Sequence, residues 1–477
     1  MVVNMATIRY KKRGNKWYVY ELNQYWDKEL KKPRQRTKYL GVAEEKNGSY
    51  SKPGRKIATT RVEQEILDCG DSYAINETCK SIGLDQIIDD SFGNLDSVMA
   101  AICFQITEGS AMYNCADWLE GNIAKRLFKG AKTSSQDISR LIKILGSADL
   151  QTSFFKKYIA QFFPDKRGIL IDSTALPSAI NSSINAFGYA SGGIEENVSC
   201  LMLVDKKSNL PIYFRAVGGD IADISTVKTT VTEIKKLGLK TESAILDAGF
   251  CSKENLQFMC SEDINFVTRL PKSHKIFHDF VKKTTDIETA ANAVQYGDRV
   301  VFIISKKDIV YDNEMFIHVI LDPSKKSKDT NIILKDQLYE SLSTQQQQTL
   351  NDKMKTAGFF ILLSRQEIDR TQILPSYYAR QAIEQIFGFA KSNNNILPLR
   401  VHDEKSIRGY LMLAFLVLII FITMRQKIKS PMDKTLLTLR SLKAKIYDDT
   451  IIIQEPNKKT QDILKTLNII MPTSWGI

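Results

Sequence analysis

Between residues 6 and 43 apolar and polar positions alternate, through KWYVYELNQYW and QRTKYLGV, with KKRGNK as a turn before the first run and DKELKKPR between the two. A period of two over such stretches predicts a small antiparallel sheet. SYSKPGRK, 49–56, has the composition of a linker. From Thr60 to about Phe163 the period becomes helical, in DSVMAAICFQI, NCADWLEGNIAKRLF and SSQDISRLIKIL, the last opened by capping serines. This predicts an all-helical region, as a helix-turn-helix reader of DNA or as plain helical packing.

The texture changes at residue 168. GILIDST (168–174), CLMLVD (200–205), LPIYFRAV (210–217), SAILDAGF (243–250) and INFVTRL (264–270) are strand-like, and DISTVKTTVTEIKKLG (223–238) is a crossover helix. DKKSN joins the second and third runs as a hairpin, so a mixed α/β sheet follows with the first and fourth strands side by side. Residues 271–357 interrupt it with β-like RVVFIIS and MFIHVILD and a polar helix containing STQQQQ. GFFILLS (358–364) resumes the core, and a single helix follows over YYARQAIEQIFGFAK (377–391). The last 50 residues read as two short helices and a tail. The expected divisions are 1–58, 59–165, 166–270, 271–357, 358–430 and 431–477. LMLAFLVLIIFITM (411–424) is shorter than the roughly 20 residues that span a bilayer, so it reads as a buried core helix and no membrane partner is expected.

The formal net charge of +12 matters once it is located: residues 1–60 hold 15 Lys and Arg against 5 Asp and Glu. Arg9, Lys11, Lys12, Arg13, Lys31, Lys32, Arg34 and Arg36 sit among aromatics there, a combination suited to a nucleic-acid backbone as well as to a solvated hairpin. The seven cysteines form no CxxC pair, which fits reduced thiols in a cytosolic protein. HKIFH (274–278) lacks the glutamate of a zinc-protease helix and reads as surface histidines.

At about 100° per residue, Tyr377, Arg380, Glu384 and Lys391 fall within roughly 60° on one helix face, with Ala382, Ile383, Ile386, Phe389 and Ala390 opposite. Taken alone, such a stripe is a solvated face. Asp172 and Asp247 each end an apolar run, at the end where open α/β sheets gather functional groups. Taken alone, either aspartate caps a following helix equally well. Two on neighbouring strands with Glu384 from a crossing helix are different, because three adjacent carboxylates repel unless a cation sits among them. Mg²⁺ binds such oxygens while leaving positions for water and phosphate. Two such ions activate a water or 3′-hydroxyl and stabilise the leaving oxygen of a phosphodiester.

The order Asp172, Asp247, Glu384 on these elements resembles the DDE transposases of prokaryotic insertion sequences. The spacing Y-x2-R-x3-E-x6-K, matched by Tyr377, Arg380, Glu384 and Lys391, is similar to the signature of the branch with a β-rich insertion before its last carboxylate. LDAGFCSKENL and VGGDIADISTV support the resemblance, which runs over roughly residues 60–450. It implies an α/β fold: a ribonuclease-H-like mixed sheet with flanking helices, interrupted by a β-rich insertion and preceded by a small basic β-sheet and an all-helical region. It implies that Asp172, Asp247 and Glu384 are catalytic and bind two Mg²⁺ ions, with Mn²⁺ as the alternative. Tyr377, Arg380 and Lys391 would hold DNA-end phosphates. The implied reaction is cleavage at the element's ends by water, then attack of the freed 3′-hydroxyl on target DNA. Implied partners are double-stranded DNA, as terminal inverted repeats and target, and a second copy on paired ends, in the cytoplasm at the nucleoid.

Some relatives hold a flipped base with a tryptophan of the insertion. Residues 271–357 contain none, so a hairpin intermediate stays open here, with Tyr296 or Phe302 as substitute stacking partners. Two other readings remain. One is a DNA-binding regulator that has lost catalysis, for which intact carboxylates are not required. The other is a doubly wound nucleotide-binding enzyme, which IDSTALPSA disfavours by lacking a glycine-rich phosphate loop.

Overall fold

The structure, a computed structural model, describes residues 7–27, 29–52, 63–178, 184–190, 193–219, 223–335, 343–392, 403–447 and 450–476. It divides into two units, Met1–Gln64 and Glu65–Ile477. The second half of the linker expected at 49–56 lies outside the described residues.

In the first unit β1 (Thr7–Arg13), β2 (Lys16–Asp27) and β3 (Lys32–Ala43) form an antiparallel sheet in that order. Lys11, Lys12 and Arg13, expected in a turn, instead belong to β1; the turn shrinks to Gly14 and Asn15, with Gly14 at φ +59°. A bulge at Leu40 shifts the register, so Val19 opposes Gly41 while Tyr20 opposes Tyr39. The segment after β3 turns back, with the Tyr10 hydroxyl donating to the Gly48 carbonyl and Val42 and Ser51 exchanging backbone hydrogen bonds. Val19 and Ala43 are buried.

The second unit opens with β4 (Glu65–Asp68) and continues through helices Gly70–Ser81, Leu84–Phe92, Leu95–Thr107, Ser135–Leu145 and Ala148–Phe162. Ser134 caps the fourth of these, accepting from the Asp137 N–H at 3.3 Å. The apolar run at 411–424 belongs to helix Glu404–Lys427, which is long and apolar enough to cross a membrane but has 89% of its most apolar window buried inside the fold. It touches helix Ser135–Leu145 backbone to backbone: a Cβ on Gly409 would stand 1.8 Å from the Ile142 carbonyl oxygen, and one on Gly146 1.8 Å from that of Lys405. Only glycine permits this approach.

The main sheet contains β5 (Arg167–Pro177), β6 (Ala186–Ala190), β7 (Gly193–Asp205), β8 (Pro211–Gly218), β9 (Thr241–Leu246), β10 (Asn265–Leu270), β11 (Ala293–Tyr296), β12 (Arg299–Val310), β13 (Asn313–Leu321) and β14 (Phe359–Ser364). Its order is β11-β12-β13-β14-β10-β9-β5-β7-β6, with β8 also paired to β7. β5, β9 and β10 are parallel, and helix Asp223–Lys236 crosses from β8 to β9. The order β8-β7-β5-β9-β10 is ribonuclease-H-like, as expected. The inserted strands do not form a separate layer; β13 pairs with β14 and extends the same sheet.

A third sheet holds β15 (Lys443–Ile446), β16 (Thr450–Ile453) and β17 (Ser474–Gly476) in the order β17-β16-β15-β4. The region 59–165 is therefore not all-helical, and the last 50 residues contain strands beside helices Met432–Arg440 and Lys458–Leu467. Runs of three or four residues are too short to display a period; they become strands by pairing across the chain, burying Leu67, Ala444, Ile446, Ile451 and Ile453 together.

Candidate active site

The last paired positions of β5 and β9 are Ile171 and Leu246, so Asp172 and Asp247 follow side by side. Asp247 ends its strand. Asp172 does not, contrary to the sequence pattern: β5 runs on to Pro177, and Asp172 marks where its neighbour stops. Asp172 is buried, the residue 8% exposed, and its carboxylate accepts from the Ser173 N–H at 2.9 Å.

The single helix expected over 377–391 is two, Arg370–Tyr378 and Gln381–Ser392, joined by a turn at Ala379 and Arg380. The Arg380 N–H donates to the Tyr377 carbonyl at 3.3 Å and the Ile383 N–H to that of Arg380 at 2.9 Å, the i to i+3 pattern of a tightened turn. The first helix also carries Pro375, which has no N–H to give. Tyr377 is consequently buried rather than on a solvated stripe, whereas the second helix buries Ile383, Ile386 and Phe387 and exposes Glu384. Lys391 lies in the last turn of that helix, and its side chain is outside the described residues.

This turn brings one guanidinium against all three acids. Arg380 Nη1 is 2.9 Å from Asp172 Oδ2, and Nη2 is 3.4 Å from Asp247 Oδ1 and 3.2 Å from Glu384 Oε1. The Tyr377 hydroxyl donates to Asp247 Oδ1 at 3.0 Å, and its ring lies 5.6 Å from the guanidinium carbon. Arg380 Nε is buried without a hydrogen-bond partner among the described residues.

Burial pushes the Asp172 carboxyl up to about 6; Arg380 opposes this, while Asp247 and Glu384 add to it. Burial also works against the charge of Arg380, but Asp247, Asp172 and Glu384 more than offset it and hold the guanidinium firmly protonated. Burial, then Asp247, raise the Tyr377 hydroxyl well above the ordinary phenol, so it serves as a donor.

Three oxygen-donor side chains around one cation-sized space suit a hard divalent ion. No group of three or more His, Cys, Asp or Glu side chains among the described residues is arranged to hold a metal, and it is the Arg380 guanidinium that stands among these three acids. Away from this pocket, His274 is bonded to the Tyr311 hydroxyl at 2.7 Å.

Tyr296 of the insertion, one of the two stacking candidates of the sequence, lies against Tyr378 at 5.5 Å, with Arg299, which sequence reasoning missed, at 5.7 Å from the same ring. Arg269, near the end of β10, and Lys325 both stand over Phe360, at 5.6 and 5.9 Å.

The family described as "Transposase DDE domain" matches residues 163–420, a span that includes Asp172, Asp247 and Glu384. The chain belongs to the DDE transposases. The transposase is accordingly a DNA-cleaving and strand-transferring enzyme, with DNA as its partner and divalent metal ions as the family's cofactor. The doubly wound nucleotide-binding reading is set aside. Among solved structures it is similar to a piggyBac transposase synaptic complex with hairpin DNA, solved by cryo-EM, at a TM-score of 0.40 and 10% identity over 83% of this chain and 76% of that one. No curated protein matches the transposase.

Proposed function

We propose that Asp172, Asp247 and Glu384 are the catalytic carboxylates of this transposase, that they hold two divalent cations, Mg²⁺ with Mn²⁺ as the alternative, and that Tyr377, Arg380 and Lys391 hold phosphates of the element's ends. One observation carries this: a single guanidinium is ion-paired with all three acids, so the acids share one cation-sized space. When bound, the ions supply an activated water or 3′-hydroxyl and neutralise the leaving oxygen.

The chain's own contribution is positional. β5 and β9 hold two carboxylates abreast, and the helix after the turn brings the third. Tyr377 occupies Asp247 Oδ1 and orients that carboxylate. Arg380, once displaced from the acids, presents a planar fork matched to phosphate. Residues 1–58 act as a basic DNA-binding arm, and the core of 166–270 and 358–430 cuts and joins strands as a homodimer on paired ends.

The test is cleavage of duplexes built from the DNA flanking the gene. Asp172→Ala, Asp247→Ala and Glu384→Ala each abolish cleavage in Mg²⁺ or Mn²⁺ while gel-shift binding persists. Wild-type cleavage by any of the three removes that residue from the site.

A further inference from the structure

The strand register gives the N-terminal sheet two unlike faces. Pairing sets Lys11 against Tyr18, Arg9 against Tyr20, and Tyr20 against Tyr39, so these five side chains share one face with Arg13 and Lys16. Their rings touch: Tyr39 lies 5.5 Å from Tyr20 and 6.3 Å from Tyr18. The remaining strand positions on this face, Thr7, Leu22, Gln24, Trp26, Pro33, Gln35, Thr37 and Val42, include no acid. Glu21 and Asp27 both fall on the opposite face, with Lys12, Lys32, Arg34, Arg36 and Lys38.

On the opposite face, whose cations are also exposed, three of them already have side-chain neighbours. Arg34 is 3.6 Å from Asp27, Arg36 lies over Tyr25 at 5.1 Å, Lys12 over Trp17 at 5.8 Å, and the Tyr10 hydroxyl reaches Gly48. Among the described residues of the first unit the cations of the tyrosine face have no such partners, and Arg9, Lys11 and Tyr39 are exposed.

We propose that the face of Arg9, Lys11, Tyr18, Tyr20 and Tyr39 enters the major groove of duplex DNA, and that the cations of the other face do not contact it. The inference rests on reading residues 1–58 as a DNA-binding arm and adds which side binds, and where. Three strands at about 4.8 Å spacing span about 10 Å, which fits a major groove about 12 Å wide and is too broad for a minor groove of about 6 Å. Strands are an established way to read the major groove. Arg9, Lys11 and Arg13 follow one edge of the sheet, placed for one phosphate strand. The tyrosines are packed against one another rather than splayed, which suits contact with base edges and not insertion between unstacked bases.

The experiment measures binding of full-length protein to a fluorescent 30-base-pair duplex of mixed sequence, in EDTA, across a salt series. Arg9→Ala with Lys11→Ala weakens binding about tenfold and reduces the log–log salt slope by about 2, as expected for two lost phosphate contacts. Arg34→Ala with Arg36→Ala removes the same charge and changes neither. Tyr39→Ala weakens binding without altering the slope. Equal losses from both charge pairs overturn the proposal, as does tighter binding of a single strand than of the duplex. Wild-type protein gives a test free of folding effects: methyl green, a major-groove ligand, competes and distamycin, a minor-groove ligand, does not; the reverse overturns the proposal. Comparing the two charge pairs in EDTA isolates the two faces of the sheet, whereas nicking in Mg²⁺ reads the carboxylate pocket, so the two proposals fail separately.

Discussion

Arg380 and Asp172, 208 positions apart in the chain, form an ion pair of 2.9 Å buried on both sides, with side chains 14% and 11% exposed. On the proposed assignment of the three acids, the guanidinium fills the place of a divalent ion, and the two compete for the same oxygens.

Replacing Arg380 by Ala leaves three carboxylates without their shared cation. Breaking such a buried pair costs about 3 kcal/mol, measured by urea unfolding in EDTA. Adding Mn²⁺ then stabilises the variant more than the wild type, because no side chain has to be displaced. Equal stabilisation of both proteins means that Arg380 does not compete with the ion.

The raised pKa of Asp172 has a definite sign. A carboxyl at about 6 in the folded protein and about 4 in the unfolded chain holds its proton more tightly when folded. Its contribution is present below pH 4 and is lost as the pH rises through 6, on the order of 3 kcal/mol. In EDTA the stability of wild type minus that of Asp172→Asn therefore falls between pH 4 and pH 7. A flat difference contradicts the assignment.

Tyr377→Phe keeps the ring beside the guanidinium and removes only the bond to Asp247. Asp247 is partly exposed, so water replaces the lost donor and the expected cost is about 1 kcal/mol. Tyr377→Ala, which empties a buried ring site, costs about 3–5 kcal/mol. Denaturant titration separates the two.

Arg440 binds Asp71, which is fully buried, at 3.0 Å and Glu108 at 2.9 Å, tying helix Met432–Arg440 to the early helices. Arg440→Ala strands the Asp71 charge and destabilises the second unit by about 3–5 kcal/mol. Asp71→Asn combined with Arg440→Ala recovers part of this loss, and thermal melts of the single and double variants measure it.

The strands carrying Asp172 and Asp247 were legible because parallel strands buried on both faces read as continuous apolar runs, against which an aspartate stands out. Glu384 was legible through its spacing from Tyr377 and Arg380. The break between those two residues was not, since a helical wheel carries no information about a carboxylate two hundred positions away that draws Arg380 inward. β1 hid inside KKR, where charge resembled a turn. The pairing of β4 with β15 left no local trace at all.

That pairing has a consequence for synthesis. Lys443 lies opposite Asp68, 375 positions earlier, and the two are ion-paired. At the ribosome's rate of about 5–20 residues per second, β4 waits on the order of 20–75 seconds for its neighbour, its edge open to other chains. A product terminated before residue 443 lacks the strand that covers this side of β4, and an uncovered strand edge is a template for pairing with other chains.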